Sequence, residues 1–96
     1  MAFNGLTEAE AERLALLLEE LGEAQQAIGK ILRHGYENTH PDGGPTNRET
    51  LEREIGDVKA AVNMMIVARD LVMTEIDAAG LRKLSWVRQY LHHQDA

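Results

Sequence analysis

The chain has 96 residues, no cysteine, 44% apolar residues and a formal net charge of −6 at pH 7. This length predicts one domain, residues 1–96, with a thin core that assembly into a homo-oligomer would enlarge. The composition excludes disulfides and thiolate zinc sites, and the negative charge is opposite to that of proteins that bind nucleic acid polymers. The N-terminus does not resemble a leader and no apolar run approaches membrane-spanning length, so we expect a cytoplasmic protein without membrane contact.

The first helix is predicted from Glu8 to about Arg33. Its start is marked by Thr7-Glu8-Ala9-Glu10, in which a threonine precedes a glutamate by three residues, as in the capping box of a helix N-terminus. Gly35 follows the last helical residues and is available for a left-handed cap.

The segment from Gly35 to Pro45 is predicted to be a loop, because glycine, proline and aspartate are concentrated there. The second helix is predicted from Asn47 to about Met73. Its start carries a second capping box, Thr46-Asn47-Arg48-Glu49.

A third helix is predicted in the C-terminal part of the chain, capped by a residue between Thr74 and Asp77 and ending near Leu91 or His92. No alternation of β-branched residues predicts a strand anywhere in the chain. The predicted fold class is therefore all-α, with two long antiparallel helices and a C-terminal helix.

Two pairs of acidic residues lie in the middle of the first two helices. They are Glu20 and Glu23 in Glu20-Leu21-Gly22-Glu23, and Glu54 and Asp57 in Glu54-Ile55-Gly56-Asp57. A spacing of three residues places both carboxylates of a pair on one side of a helix. Four carboxylates brought together from two helices would form a site for a hard divalent cation such as Mg²⁺, which prefers oxygen ligands and commonly bridges to phosphates.

Helical wheels place both acidic pairs beside apolar stripes. On the first helix the stripe contains Leu14, Leu17, Leu18, Leu21, Gln25, Ile28 and Leu32. On the second helix it contains Leu51, Ile55, Val58, Val62, Met65 and Ile66, while Glu52, Lys59, Asn63 and Asp70 are predicted to form the solvated side. An acidic pair on a helix usually belongs to a solvated face. Carboxylates on a half-buried flank repel one another and lose hydration, and a bound cation compensates for both effects.

The two acidic segments resemble the metal-binding helices of the MazG-type all-alpha nucleotide pyrophosphohydrolases. The segment Leu18–Ala24 is similar to the first of those helices and Leu51–Val58 to the second. The likeness covers residues 14–67 well and the C-terminal third weakly. The resemblance implies a helical bundle with a four-helix-type core, completed by oligomerisation into a dimer or tetramer.

The same resemblance implies a reaction and a set of site residues. The reaction would be Mg²⁺-dependent hydrolysis of (deoxy)nucleoside triphosphates to monophosphate and pyrophosphate, in nucleotide-pool control or house-cleaning, with Mn²⁺ able to substitute. Glu20, Glu23, Glu54 and Asp57 would be metal ligands and catalytic residues, and Glu19 would be a catalytic acid nearby that positions or activates water. The loop from Gly35 to Pro45 is longer than in many members and would cover or restrict the substrate pocket.

Phosphate oxygens that the metal does not contact would pair with basic residues. Lys30 and Arg33 at the end of the first helix are candidates. Lys30 lies roughly on the Glu23 flank, so it is the better placed of the two and is predicted to bind substrate. Lys83 and Arg88 of the third helix are further candidates, and Lys83 is favoured because the family often carries a basic residue there. Each of them is otherwise an ordinary surface charge. The aromatic residues available to stack on a base are Tyr36, Trp86 and Tyr90.

The alternative to an enzyme is a non-catalytic helical dimerisation module or a domain that senses nucleotides without hydrolysing them. All four predicted ligand positions are acidic, which is not typical of a decayed metal site. A di-iron bundle would require Glu-x-x-His pairs, and neither of the two long helices contains one.

Overall fold

Residues 3–94, which the computed structural model describes, form three α-helices and no β-strand, and this confirms the predicted all-α class. The helices are α1 (Glu8–His34), α2 (Asn47–Val67) and α3 (Met73–Trp86). Short 3-10 turns cover Phe3–Gly5 and Val87–Tyr90. Within the described residues, no helix combines the length and the apolar character needed to cross a membrane.

Both predicted capping boxes are present. The Thr7 hydroxyl accepts a hydrogen bond from the Glu10 N–H at 3.1 Å, and the Glu10 carboxylate accepts one from the Thr7 N–H at 2.8 Å. Thr46 and Glu49 make the same reciprocal pair at 3.1 and 2.9 Å. The helix α1 ends at His34, which confirms the predicted exit. Gly35 takes a φ of 87° and a ψ of 168°, a backbone conformation that favours glycine but is not the left-handed cap that the sequence predicted.

The second helix ends at Val67, and the predicted end near Met73 is wrong. Arg69 takes a φ of 67°, which turns the chain out of the helix. The Asp70 carboxylate accepts two hydrogen bonds from the Arg13 guanidinium, at 2.6 and 3.0 Å. The placement of Asp70 on the solvated side of a helix is therefore also wrong. The partner of Asp70 belongs to the start of α1, and a helical wheel of α2 cannot show it.

The third helix begins at Met73 and ends at Trp86, before the predicted end, and a 3-10 turn continues to Tyr90. Val72 occupies the N-cap position and makes no side-chain cap hydrogen bond, so the predicted cap between Thr74 and Asp77 is wrong.

The two long helices form an antiparallel hairpin. Their direction is shown by Arg13, near the start of α1, which binds Asp70 just beyond the end of α2. Three of the four side chains buried at their contact are alanines. Among the described residues, the buried ones are Ala24, Ala27, Ala61 and Met65. Alanine at a helix interface lets the two backbones approach closely, which also brings together any side chains that share this inner side.

The apolar stripe of α1 faces away from α2. Its large residues Leu14, Leu18, Leu21, Ile28 and Leu32 are between 42% and 83% exposed. Glu20, by contrast, shares the inner side with the buried alanines, at spacings of four and seven residues. The wheel identified the apolar side correctly, but a wheel does not show which neighbour covers that side.

One chain does not close into a bundle. The described residues have a radius of gyration of 16.9 Å, whereas a compact domain of this size has about 13 Å. The helix α3 leaves the hairpin and has few contacts with the two long helices. Leu81 and Leu84 of α3 are each about two-thirds exposed. The architecture of a single chain is therefore a helical hairpin with an appended helix.

Candidate metal centre

Four carboxylates meet on the inner side of the hairpin. Glu20, Glu23, Glu54 and Asp57 each offer one oxygen, and these oxygens all lie within 4.8 Å of one another. Each helix contributes two of them at a spacing of three residues, and the antiparallel packing sets the pairs opposite each other. We call these residues the acidic cluster. An arrangement of this kind could hold a metal ion.

Small residues beside the acids make this meeting possible. Ala24 lies one turn from Glu20 and Ala27 one turn from Glu23 along α1, and Ala61 lies two turns from Glu54 along α2, all three of them buried. A larger side chain at these positions would hold the helices apart and separate the carboxylates. The sequence therefore positions the acidic cluster through the size of its alanines as well as through the spacing of its acids.

Two oxygens of the acidic cluster are buried without a partner. Within the described residues, Oε2 of Glu20 and Oε2 of Glu54 have no hydrogen-bond donor and almost no contact with solvent. Buried polar atoms in proteins are nearly always hydrogen-bonded, and an unpaired anionic oxygen is especially unfavourable. A cation between the helices would satisfy both atoms.

The electrostatics of the acidic cluster disfavour negative charge. Burial raises the pKa of Glu20 above its ordinary value, and the charges of Asp57, Glu19 and Glu54 raise it further. The pKa of Glu23 is raised first by sharing a hydrogen bond with Glu54, and then by the Glu20 charge and by burial. Both shifts have the cause expected where carboxylates are crowded together and partly removed from water.

Glu19 lies outside the acidic cluster but close to it. Its side chain is exposed, and its charge contributes to raising the pKa of both Glu20 and Glu23. Such a position leaves it accessible to water next to the four clustered acids. The predicted role of Glu19, which is to position or activate water, stays a prediction.

A cavity of about 380 Å³ opens beside the acidic cluster. Its lining includes Glu23 and Glu54 together with two cations, Lys30 and Arg53. The structure therefore places Lys30 where the sequence suggested, on the flank of Glu23. Sequence reasoning missed Arg53. It lies four residues before Asp57 on α2, so a wheel centred on Asp57 would have shown it on the open side of the site.

The other predicted substrate-binding residues lie away from the acids in a single chain. The Lys83 ammonium lies 4.4 Å from the centroid of the Trp86 ring, and Arg88 belongs to the 3-10 turn after α3. Neither of them lines the cavity beside the acidic cluster. The aromatic candidates are engaged elsewhere: the Arg48 guanidinium covers Tyr36 at 4.3 Å, and Tyr90 meets Trp86 edge to face.

No family model matches the chain, and no curated protein or solved structure is significantly similar to it. The resemblance to the MazG-type enzymes therefore rests on the two acidic segments.

Proposed function

We propose that this chain is a MazG-like enzyme that hydrolyses nucleoside triphosphates, with ribose or deoxyribose, to monophosphate and pyrophosphate. The observation that carries the proposal is the acidic cluster: four carboxylate oxygens within 4.8 Å, supplied by two helices. Two carboxylate oxygens at this site, on Glu20 and Glu54, are buried without a partner, which favours a bound cation over a solvated face. The corresponding biological role is control of nucleotide pools or removal of aberrant nucleotides.

The donor set fits Mg²⁺, with Mn²⁺ as a substitute. All four donors are carboxylate oxygens, and hard cations such as these select oxygen ligands. Glu20, Glu23, Glu54 and Asp57 would hold the ion. When bound, it would neutralise part of the triphosphate charge and hold the phosphates for attack in line with the leaving group.

The remaining groups of the site would orient the reactants. Lys30 and Arg53 line the cavity beside Glu23 and Glu54, where their charges would pair with phosphate oxygens. Glu19, exposed next to the acids, would accept a proton from the attacking water. The water oxygen bonds to the α-phosphorus while the bond from that phosphorus to the bridging oxygen breaks. Pyrophosphate leaves with the bridging oxygen.

We also propose that the active form is a homo-oligomer, a dimer or tetramer, in which a second copy covers the apolar stripe of α1. The exposure of that stripe and the open shape of the single chain support this proposal. Ala15, Gly22 and Gly29 follow one another at seven-residue intervals on the same outward side. A Cβ at Gly22 or Gly29 would meet no atom of the described residues within 4 Å, so neither position is covered by the rest of a single chain.

The experiment that tests the function measures pyrophosphate release from a panel of canonical and modified nucleoside triphosphates, with and without Mg²⁺. We expect Mg²⁺-dependent release, abolished in Glu54→Gln and retained in Glu52→Gln. The second variant changes charge equally at an exposed position of the same helix. Folded wild-type protein that binds Mg²⁺ but releases no pyrophosphate would instead favour the nucleotide-sensing or dimerisation alternative.

A further inference from the structure

A second cavity, of about 470 Å³, lies at the end of α1, beneath the loop that leads to α2. Its lining includes Lys30, Arg33, His34, Asn38, His40 and Asn47. We call it the loop-end pocket. Its volume falls within the range of about 300–1,000 Å³ that is usual for small-molecule sites. It is separate from the acidic cluster, since none of the four acids lines it.

The loop-end pocket is basic in a protein that carries a net charge of −6. Within the described residues, its lining contains no carboxylate, and neither Lys30 nor Arg33 makes an ion pair. Both cations and His34 share one side of α1, because their spacing is three and four residues. The lining residue His40 has an acidic neighbour, Asp42, whose carboxylate lies 3.5 Å from the His40 ring and is almost fully exposed. The cations are therefore free to pair with an anionic ligand.

The wall of the pocket is held in place by hydrogen bonds from the backbone and the side chain of Asn47. The Asn47 N–H donates to the Asn38 carbonyl at 2.9 Å, and the Asn47 side-chain amide donates to the Gly35 carbonyl at 3.0 Å. A bridge between Thr39 and Thr46 closes the loop behind them. A wall fixed in this way does not have to be ordered when a ligand binds.

Two of the basic residues that line the pocket are explained in part by their position at a helix end. Arg33 and His34 occupy the last turn of α1, where cations offset the partial negative charge of the helix C-terminus. That effect requires neither a cavity nor Lys30, which lies further back along the helix. The start of α2 adds no free donor to the pocket, because the Asn47 and Arg48 N–H groups donate to the Asn38 and Tyr36 carbonyls.

We propose that the loop-end pocket is a metal-independent site for the terminal phosphates of a polyphosphate chain. Phosphate oxygens accept hydrogen bonds from arginine, lysine and amide donors together, which are the groups assembled here. Two sources carry this chemistry: the distal end of a nucleotide held at the acidic cluster, and free pyrophosphate. Lys30 lines both cavities, and Glu23 lies about 10 Å before it along α1, so one chain of phosphates can reach both.

The test is a titration of pyrophosphate into the metal-free protein in EDTA, at constant ionic strength, followed by amide chemical shifts. We expect saturable shifts in residues 30–40 and at Asn47. Arg33→Gln weakens binding by about tenfold, as expected for the loss of a charged hydrogen bond. Arg82→Gln, which removes the same charge from an exposed site on α3, leaves affinity unchanged. Equal affinity in the two variants, or shifts confined to other regions, overturns the proposal.

A second arm identifies the source and separates this proposal from the proposed enzyme activity. Pyrophosphate that competes with nucleotide for the wild-type protein identifies the distal end of the nucleotide as the occupant. Pyrophosphate that binds without competition identifies a separate ligand. Either result supports the site, because the metal-free titration does not depend on hydrolysis. An inactive protein that still binds pyrophosphate through Arg33 would refute the enzyme while retaining the loop-end pocket.

Discussion

Replacement of Glu20 by glutamine is expected to change stability in opposite directions with and without Mg²⁺. In the metal-free protein, Glu20 has a buried unpartnered oxygen and a raised pKa, so its negative charge is unfavourable in the folded state. The amide removes that charge, and Glu20→Gln should melt at a higher temperature than wild type in EDTA. In Mg²⁺, the variant loses one of four ligands and should melt at a lower temperature.

The size of the second effect follows from linkage. At a Mg²⁺ concentration of 100 times the Kd, wild type gains about 2.7 kcal/mol of folding stability. If the lost ligand weakens affinity about 100-fold, the variant gains about 0.4 kcal/mol at the same concentration. The difference of about 2.3 kcal/mol corresponds to about 9–18 °C in the Mg²⁺-induced shift of Tm.

The assay is thermal unfolding followed by circular dichroism, in EDTA and across a Mg²⁺ series. Glu52→Gln is the matched control, because it removes the same charge at an exposed position on α2. It should keep the full Mg²⁺-induced shift. Equal shifts in Glu20→Gln and wild type, or a metal-free variant less stable than wild type, would refute the reasoning.

Three further predictions concern pH, packing and assembly. Because the pKa values of Glu20 and Glu23 are raised, the folded state binds their protons more tightly, so their contribution to stability falls as pH rises from about 4.5 through the raised values. Denaturant unfolding in EDTA at a series of pH values should show a smaller fall in the free energy of unfolding with rising pH in Glu20→Gln than in wild type. An equal dependence on pH in the two proteins would contradict this. Met65→Ala, at a site 3% exposed, should lose about 2–5 kcal/mol in urea unfolding, whereas the half-exposed Met64→Ala should lose far less. Gly29→Leu should favour the isolated helix by about 1 kcal/mol yet reduce the mass measured by sedimentation; an unchanged mass would count against an interface there.

The parts of the structure that depend on neighbouring residues in the chain were predictable. Both capping boxes consist of residues three positions apart, and each fixes a helix start without help from the rest of the fold. The pairing of Glu20 with Glu23 likewise follows from helical geometry alone. The two acidic pairs meet if the two long helices form a hairpin. One loop joins these helices, so a hairpin was the expected arrangement.

The parts that depend on distant residues were not predictable from helical periodicity. The turn after α2 is held against α1 by the ion pair between Arg13 and Asp70, residues far apart in the sequence. The side of α1 that contacts α2 carries the buried alanines, so the large residues of the apolar stripe stay exposed in a single chain. A helical wheel of α1 alone does not show which side contacts α2. Arg33 joins the loop-end pocket only because the loop folds back over the end of α1.

The most direct test of the proposed activity is product analysis of nucleoside triphosphate turnover in water enriched in oxygen-18, with Mg²⁺ present. Attack of water on the α-phosphorus predicts equimolar monophosphate and pyrophosphate, with the label in the monophosphate alone. Both products should disappear in EDTA and in Glu54→Gln. Label in pyrophosphate, release of orthophosphate in place of pyrophosphate, or no turnover by folded protein with Mg²⁺ bound would contradict the account.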